Sequence, residues 1–295
     1  MEKITYFSCF SGIGGFELGI TNAGKETGVE TECVGYSEVD KFAISVYNKH
    51  FKGIKNYGDI TKIKTKELPK FDCLVGGFCC QSHSIVGKRG GLEDPRGQVI
   101  FDVFRIIKDK RPKYIVLENV KGILSSDKGT AFKRIIAELD ELGYNLQWQV
   151  LDSTYFDTPQ HRERIIIFGN LRSESRPEIF PFTELTTKTT LKDKCIVSHA
   201  HRRTKVSVHN YVNTITASYH GPNGDGAPGV LIGDKVRRLT PIECERLQKF
   251  PDNWTKYGED NELISNSQRY HQCGNAVCVT VIEAVFKKLF KPKEK

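Results

Sequence analysis

The sequence predicts an α/β protein with a mixed, mostly parallel sheet, and three observations carry that prediction. Short apolar runs alternate with amphipathic stretches of helical length through the first 171 residues. The apolar runs are rich in Ile, Val, Phe and Tyr, and several end in glycine or an acidic residue. The pattern then breaks into an irregular stretch before helical spacing returns near the C-terminus. Strands alternating with helices of about 10–15 residues wind into a parallel sheet through right-handed crossovers.

Each element follows in order. ITYFSCF reads as a strand, followed by glycines and the helical ELGITNAG. ECVGYSEV is a second strand and DKFAISVYNKHF a second helix. FDCLVGG, KYIVLENV and RIIIFGNL are further strands, while QVIFDVFRIIKD and TAFKRIIAELDELGY space their apolar residues for helices. From Arg172 to about Gly233, Thr, Gly, Pro and basic residues predominate, which predicts a small second lobe of short strands and loops. TPIECERLQKF and GNAVCVTVIEAVFKKLF then return to helical spacing. The predicted division is a main domain of residues 1–171 and 237–295, with the lobe at 172–236.

At 295 residues the chain is long enough for a sizeable core. The net charge of +8 favours polyanionic partners through counterion release. No apolar run approaches the ~18 residues of a membrane span, and the N-terminus lacks the pattern of a signal peptide, so the chain reads as cytoplasmic. Nine cysteines are present, but none forms a Cys-x-x-Cys pair and the odd count argues against a disulfide framework. No metal site is expected.

FSCFSGIGGFELG places Gly12, Gly14 and Gly15 where a first strand meets a helix, a turn used against phosphate, dinucleotide and adenosyl ligands alike. Its spacing matches neither the dinucleotide fingerprint nor a P-loop. Glu38 at the end of the second strand suits ribose hydroxyls, and Asp59 in YGDIT suits an adenine amino group. FDCLVGGFCCQSHS sets Cys79 and Cys80 just past another strand, KYIVLENV does so for Glu118 and Asn119, and TPQHRERIII brings Arg162 and Arg164 to one face. A thiol, a carboxyl and a guanidinium thus gather at consecutive strand ends, where open α/β sheets hold ligands.

Taken together, FSGIGGFELG, SEVDKFA, YGDIT, GGFCCQSHSIVGKRGGLEDPRG, LENV, TPQHRERIIIFG, RRLTPIECERLQKFP and QCGNAV resemble, in order, the motifs of bacterial and phage DNA (cytosine-5)-methyltransferases. The resemblance spans essentially the whole chain. It implies a Rossmann-like S-adenosylmethionine-dependent methyltransferase fold with a target-recognition lobe, acting on a flipped-out cytosine in double-stranded DNA. It also implies a monomer, nucleoid-associated when bound to DNA, either solitary or with a restriction endonuclease as genetic partner.

By that resemblance Cys80 is the nucleophile that adds to C6, Glu118 protonates N3, Arg164 binds O2 with Arg162 nearby, and Asn119 braces the loop. Phe10, Ser11, Gly12, Ile13, Gly14, Gly15, Phe16, Glu38, Val39, Asp59, Ile60, Gly77, Asn275 and Val277 are the implied cofactor contacts. Gln81, Ser82, Ser84, Arg96, Arg202, Arg203, Thr214 and Ile215 are the implied DNA contacts, with His199, His201 and Lys205 as further candidates. The stretch from Ser82 to Gly97, with four glycines, is expected to close over the DNA.

The chain departs from the family pattern at Cys79 in place of proline, His83 in place of phenylalanine, Ala276 in place of serine, and Val39 where a larger residue is common. None of these removes a reacting group. A tRNA-methylating relative would carry Cys-Phe-Thr in the lobe, and an amino-methyltransferase a DPPY-type tetrapeptide; neither is present. The alternative is a catalytically weak or inactive DNA-binding relative, which would tolerate loss of Cys80, Glu118 or Arg164, yet all three are retained.

Overall fold

The computed structural model describes residues 3–78, 99–183, 188–190, 195–199, 205–219, 228–232 and 235–291. Its first half alternates as the apolar runs predict: β1 (Lys3–Cys9), α1 (Gly15–Thr27), β2 (Glu30–Ser37), α2 (Lys41–His50), β3 (Cys73–Gly77), α3 (Val99–Lys110), β4 (Tyr114–Val120), α4 (Thr130–Glu141) and β5 (Tyr144–Asp152). After the two-residue β6 (Gln160–His161), β7 (Glu163–Leu171) completes a six-stranded sheet in the order β2–β1–β3–β4–β7–β5. β2, β1, β3 and β4 pair in parallel, and β7 lies antiparallel between β4 and β5.

The sheet is covered on both faces, which is why its strands read as continuous apolar runs. Alternation sends Tyr6, Val75, Val116 and Phe168 to one face, against α1 and α7 (Val279–Phe290). It sends Phe7, Leu74, Leu117 and Ile167 to the other, against α3 and α4. Each such side chain, when fully buried, contributes about 1.5–3 kcal/mol relative to exposure. The first and last helices meet closely: a Cβ on Gly19 would stand 2.8 Å from the Val279 carbonyl oxygen. Asn22 donates to Glu283 at 3.2 Å beside them.

Two elements differ from the sequence expectation. YNLQWQVLD forms β5, although Gln147 and Gln149 occupy positions where a sheet face would carry apolar residues. The reason is the segment that packs there. Gln147 Oε1 accepts from the backbone N–H groups of Ile179 and Phe180 at 3.0 and 3.2 Å, and its Nε2 donates to the Pro177 carbonyl at 2.7 Å. Gln149 accepts from Phe182 N–H at 2.8 Å. The two glutamines satisfy an irregular backbone that has no strand or helix to satisfy it. Ile179 and Phe180 themselves join the core of the main sheet.

The second difference is a break in the predicted C-terminal helix. α6 (Asn266–Asn275) ends before α7 begins, with Ala276 extended between them. The signal for α6, a Ser265 cap whose hydroxyl accepts from Gln268 N–H, precedes a polar segment with little apolar periodicity.

The small lobe contains a four-stranded antiparallel sheet in the order β12–β11–β8–β9. Its strands are β8 (Cys195–His199), β9 (Lys205–His209), β11 (Pro228–Ile232) and β12 (Lys235–Arg238). A short β10 (Val212–Asn213) leaves this sheet and pairs in parallel with β6 of the main body. α5 (Pro241–Leu247) follows a capping box in which Thr240 and Glu243 satisfy each other's backbone N–H groups. Among the described residues no helix is long and apolar enough to cross a membrane.

Candidate active site

The β1–α1 turn is folded around a carboxylate. Phe10 and Gly14 both have positive φ, +55° and +89°, which turns the chain sharply between strand and helix. Glu38 then holds the turn. Its Oε2 accepts from Gly12 N–H at 2.8 Å, and its Oε1 accepts from Val39 and Asp40 N–H at 2.8 and 2.9 Å. Each carboxylate oxygen has two lone-pair sites, so Oε2 keeps one for a ligand hydroxyl.

Around this nest lie the other sequence-predicted cofactor residues. Val39 is 69% exposed, an apolar surface left open beside the turn. Asp59 accepts from Thr61 N–H and hydroxyl at 3.0 and 2.8 Å, which holds its carboxyl below the usual carboxylate range. Ser11, Ile13, Phe16 and Ile60 are buried and shape the turn from beneath. A Cβ on Gly15 would stand 2.7 Å from Val277 Cγ1, so Val277 packs directly under the turn. Asn275 is exposed, with Nδ2 3.1 Å from His271 Nε2.

Sequence reasoning missed Trp254, whose indole N–H donates to the Ile13 carbonyl at 2.9 Å and fixes the turn from the C-terminal part of the chain. It also missed Glu17. This residue is fully buried in the first turn of α1, accepts from the Tyr47 hydroxyl at 3.2 Å, and is pushed up to about 7 by burial. No quoted motif contains Trp254, and Glu17 falls inside FSGIGGFELG without anything in that spacing marking a buried carboxyl.

The second half of the site lies at the ends of β3, β4 and β7. In β3, a Cβ on Gly76 would stand 2.6 Å from the Cys9 carbonyl oxygen, and one on Gly77 would stand 3.0 Å from Glu118 Oε2. The glycine pair therefore lets two neighbouring strands and a carboxylate approach. Glu118 Oε1 accepts from Arg164 Nε at 2.9 Å, with both side chains mostly buried. Asn119 is 1% exposed; its Nδ2 donates to the Phe78 carbonyl at 3.3 Å and its Oδ1 accepts from Val120 N–H at 2.8 Å. It thus braces the chain one residue before the cysteine pair. Cys80, Gln81, Ser82, Ser84 and Arg96, with the rest of 79–98, lie outside the described residues.

Arg162, one residue before β7, and Arg164, within it, take different partners. Arg164 turns to Glu118, whereas Arg162 is 3% exposed and donates to the carbonyls of Ile215, Gly274 and Ala276. Thr214 and Ile215 are docked on the same stretch: Thr214 Oγ1 donates to the His161 carbonyl at 2.8 Å, and Ile215 N–H donates to Gln160 Oε1 at 2.9 Å. Arg202, Arg203 and His201 lie outside the described residues, and His199 and Lys205 sit in β8 and β9. Among the described residues no group of three or more His, Cys, Asp or Glu side chains is placed to hold a metal ion.

The arrangement sets the end of β1 against Gly76 and a carboxyl–guanidinium pair beside Gly77. Comparison with known proteins agrees. The family model for C-5 cytosine-specific DNA methylases matches residues 4–216 and 190–291. The chain is 37% identical over 325 residues to the type II methyltransferase M1.ScrFI of Lactococcus lactis subsp. cremoris, covering 99% of this chain and 79% of that protein. It is 31% identical over 320 residues to the type II methyltransferase M.HhaI of Haemophilus parahaemolyticus, covering 97% and 94%. The fold is also that of the Dnmt2 methyltransferase of S. pombe, with a TM-score of 0.74, 19% identity, and 99% and 100% of the two chains aligned.

Proposed function

The chain belongs to the C-5 cytosine-specific DNA methylase family and is a DNA cytosine-5 methyltransferase, and we propose that Cys80, Glu118 and Arg164 carry its chemistry on a cytosine rotated out of the duplex. The observation that supports this most is the 2.9 Å contact between Arg164 and Glu118 beside Gly77, with Asn119 holding the carbonyl of Phe78.

Cytosine C5 is too weak a nucleophile to react unaided. The thiolate of Cys80 adds to C6, forming a C–S bond and moving the ring electrons toward C5 and N3. Glu118 gives a proton to N3, so that charge does not accumulate there, and the Arg164 guanidinium donates to O2. S-adenosylmethionine, when bound, supplies an electrophilic methyl group to C5. A base then takes the C5 proton, that electron pair re-forms the C5–C6 double bond, the C6–S bond breaks with Cys80 leaving as thiolate, and N3 returns its proton to Glu118. Taking the base out of the stack costs a few kcal/mol, offset by contacts that the lobe and the loop after Phe78 make with DNA.

The residues around the β1–α1 turn fit the cofactor. The free lone pair of Glu38 Oε2 suits a ribose hydroxyl, the exposed Val39 suits a purine face, and Asp59 suits an exocyclic amino group. Phe10, Ser11, Gly12, Ile13, Gly14, Gly15, Phe16, Ile60, Gly77, Asn275 and Val277 complete the proposed seat. The lobe carrying β8–β12 reads the target sequence, with Thr214 and Ile215 beside the extrahelical base and Arg202 and Arg203 on the duplex. The enzyme acts as a cytoplasmic monomer, paired genetically with a restriction endonuclease.

The test is tritium transfer from S-adenosylmethionine to unmethylated DNA. Cys80→Ser abolishes transfer and Cys79→Ser retains it. Transfer that survives in Cys80→Ser and is lost in Cys79→Ser would overturn the assignment. Active enzyme also forms a stable adduct with 5-fluorocytosine DNA, because fluorine does not leave as a proton; no adduct would sink the C6-addition scheme.

A further inference from the structure

We propose that Arg162 is a positioning residue that joins the cofactor seat to the lobe segment Thr214–Ala217, so that filling one orders the other. The inference rests on the reading above of Asn275 as a cofactor contact and of Thr214 and Ile215 as neighbours of the extrahelical base.

Arg162 Nη2 donates to the Gly274 carbonyl at 3.1 Å and to the Ala276 carbonyl at 2.8 Å. Those two carbonyls flank Asn275, so one nitrogen holds the backbone on both sides of that contact. Nη1 of the same guanidinium donates to the Ile215 carbonyl at 3.1 Å. The group is planar and its donors are fixed relative to one another, so the three carbonyls are held as a set. Arg162 is 3% exposed, and water has little access to replace a lost bond.

A second contact joins the same two parts without Arg162. A Cβ on Gly274 would stand 2.3 Å from Ala217 N and from the Thr216 carbonyl carbon. The backbone of α6 therefore rests against the lobe segment itself. On its other side that segment is held by Gln160 and His161, the two residues that precede Arg162. Arg164, two residues further on, meets Glu118. The stretch from Gln160 to Arg164 thus carries the contact to the proposed reacting pair, the strap to α6, and the dock for the lobe. A ligand that fixes Asn275 fixes Gly274 and Ala276, and through Arg162 it fixes Ile215. Coupling of this kind is reciprocal, so DNA held at Ile215 tightens the cofactor seat in return.

The test is hydrogen–deuterium exchange on the full chain, without DNA, with and without S-adenosylhomocysteine. In the wild type the ligand slows exchange in the 12–15 turn and also, by about fivefold or more, in the 213–219 segment. In Arg162→Lys, which keeps the charge but not the fork, saturating ligand still protects the turn and no longer protects 213–219. Gly274→Ala, which pushes α6 off the segment, gives the same separation if the lysine variant does not fold. Protection of the turn without protection of 213–219 in the wild type would overturn the inference and leave the proposed function standing. Coupled protection that persists in the variants would also overturn it. No protection of the turn in the wild type would remove the cofactor reading, and the inference with it.

Discussion

Arg164 Nε lies 2.9 Å from Glu118 Oε1, although the backbone partner of Arg164 in the sheet is Val120. The arginine reaches back two residues along β4 to a carboxylate that is itself mostly buried. Removing one member of such a pair leaves a charge without a partner, at a cost of about 3–5 kcal/mol. Arg164→Ala therefore melts well below the wild type. Glu118→Gln keeps an acceptor for Arg164 and stays folded, while kcat for DNA methylation falls by about 10²–10⁴ for loss of a proton donor. Thermal denaturation and steady-state kinetics on the same two variants separate the effects.

Gly77 is required by the same pair. An alanine there brings its Cβ within 3.0 Å of Glu118 Oε2, tighter than ordinary contact. Gly77→Ala displaces the carboxyl from Arg164 and lowers kcat by about tenfold or more, on the scale expected when a catalytic group is misplaced by a fraction of an ångström. Its melting temperature falls, but by less than that of Arg164→Ala, because the pair is displaced and not left without a member. A kcat equal to that of the wild type would show that Glu118 has room to spare.

Glu17 gives the protein a pH-dependent stability. Burial raises its carboxyl to about 7, opposed by the hydrogen bond from the Tyr47 hydroxyl, against an ordinary value of 4.5. The folded state therefore binds this proton more tightly than the unfolded one. The stabilisation is fully present below about pH 4.5 and is lost as pH rises through about 7, a swing on the order of 3 kcal/mol. Glu17→Gln, which is neutral throughout, melts higher than the wild type at pH 8, and the gap closes toward pH 5. Parallel melting curves across that range would refute the shift.

The described cysteines are poor targets for alkylation. Cys9, Cys73, Cys273 and Cys278 are buried with thiols pushed up by burial, and Cys33 and Cys244 are raised to about 12. The thiolate is the reactive form, so these six sulfurs stay unmodified in native protein at pH 8. Iodoacetamide therefore inactivates the enzyme while peptide mapping finds label only among Cys79, Cys80 and Cys195. Inactivation tracking label on any of the six would contradict the burial described here.

What could be read from sequence was whatever the backbone period or a short spacing expresses. β1, β3, β4 and β7 announce themselves because both faces are covered and their residues are mostly apolar. Glu118 and Asn119 could be placed because they end such a run. β5 was hidden because its glutamines serve a neighbouring loop rather than the sheet core, and α6 because its buried face is largely polar. The spacing of Arg162 from Arg164 could be read, but its partners could not, because Ile215, Gly274 and Ala276 are distant in the chain. Trp254 and Glu17 act across more than two hundred residues and across a helix packing respectively, and neither relation leaves a local pattern.

The packing of α1 against α7 also sets a schedule. The turn that precedes α1 emerges from a ribosome well over two hundred residues before Val277, which supports it, and α7, which covers α1. At bacterial elongation rates of about 5–20 residues per second, that leaves the N-terminal strand and helix without their cover for roughly 15 seconds to a minute. During that interval the apolar side of α1 has only chaperones or transient partners to shield it. The face of α1 that α7 covers is therefore buried only after residues 279–290 have been made.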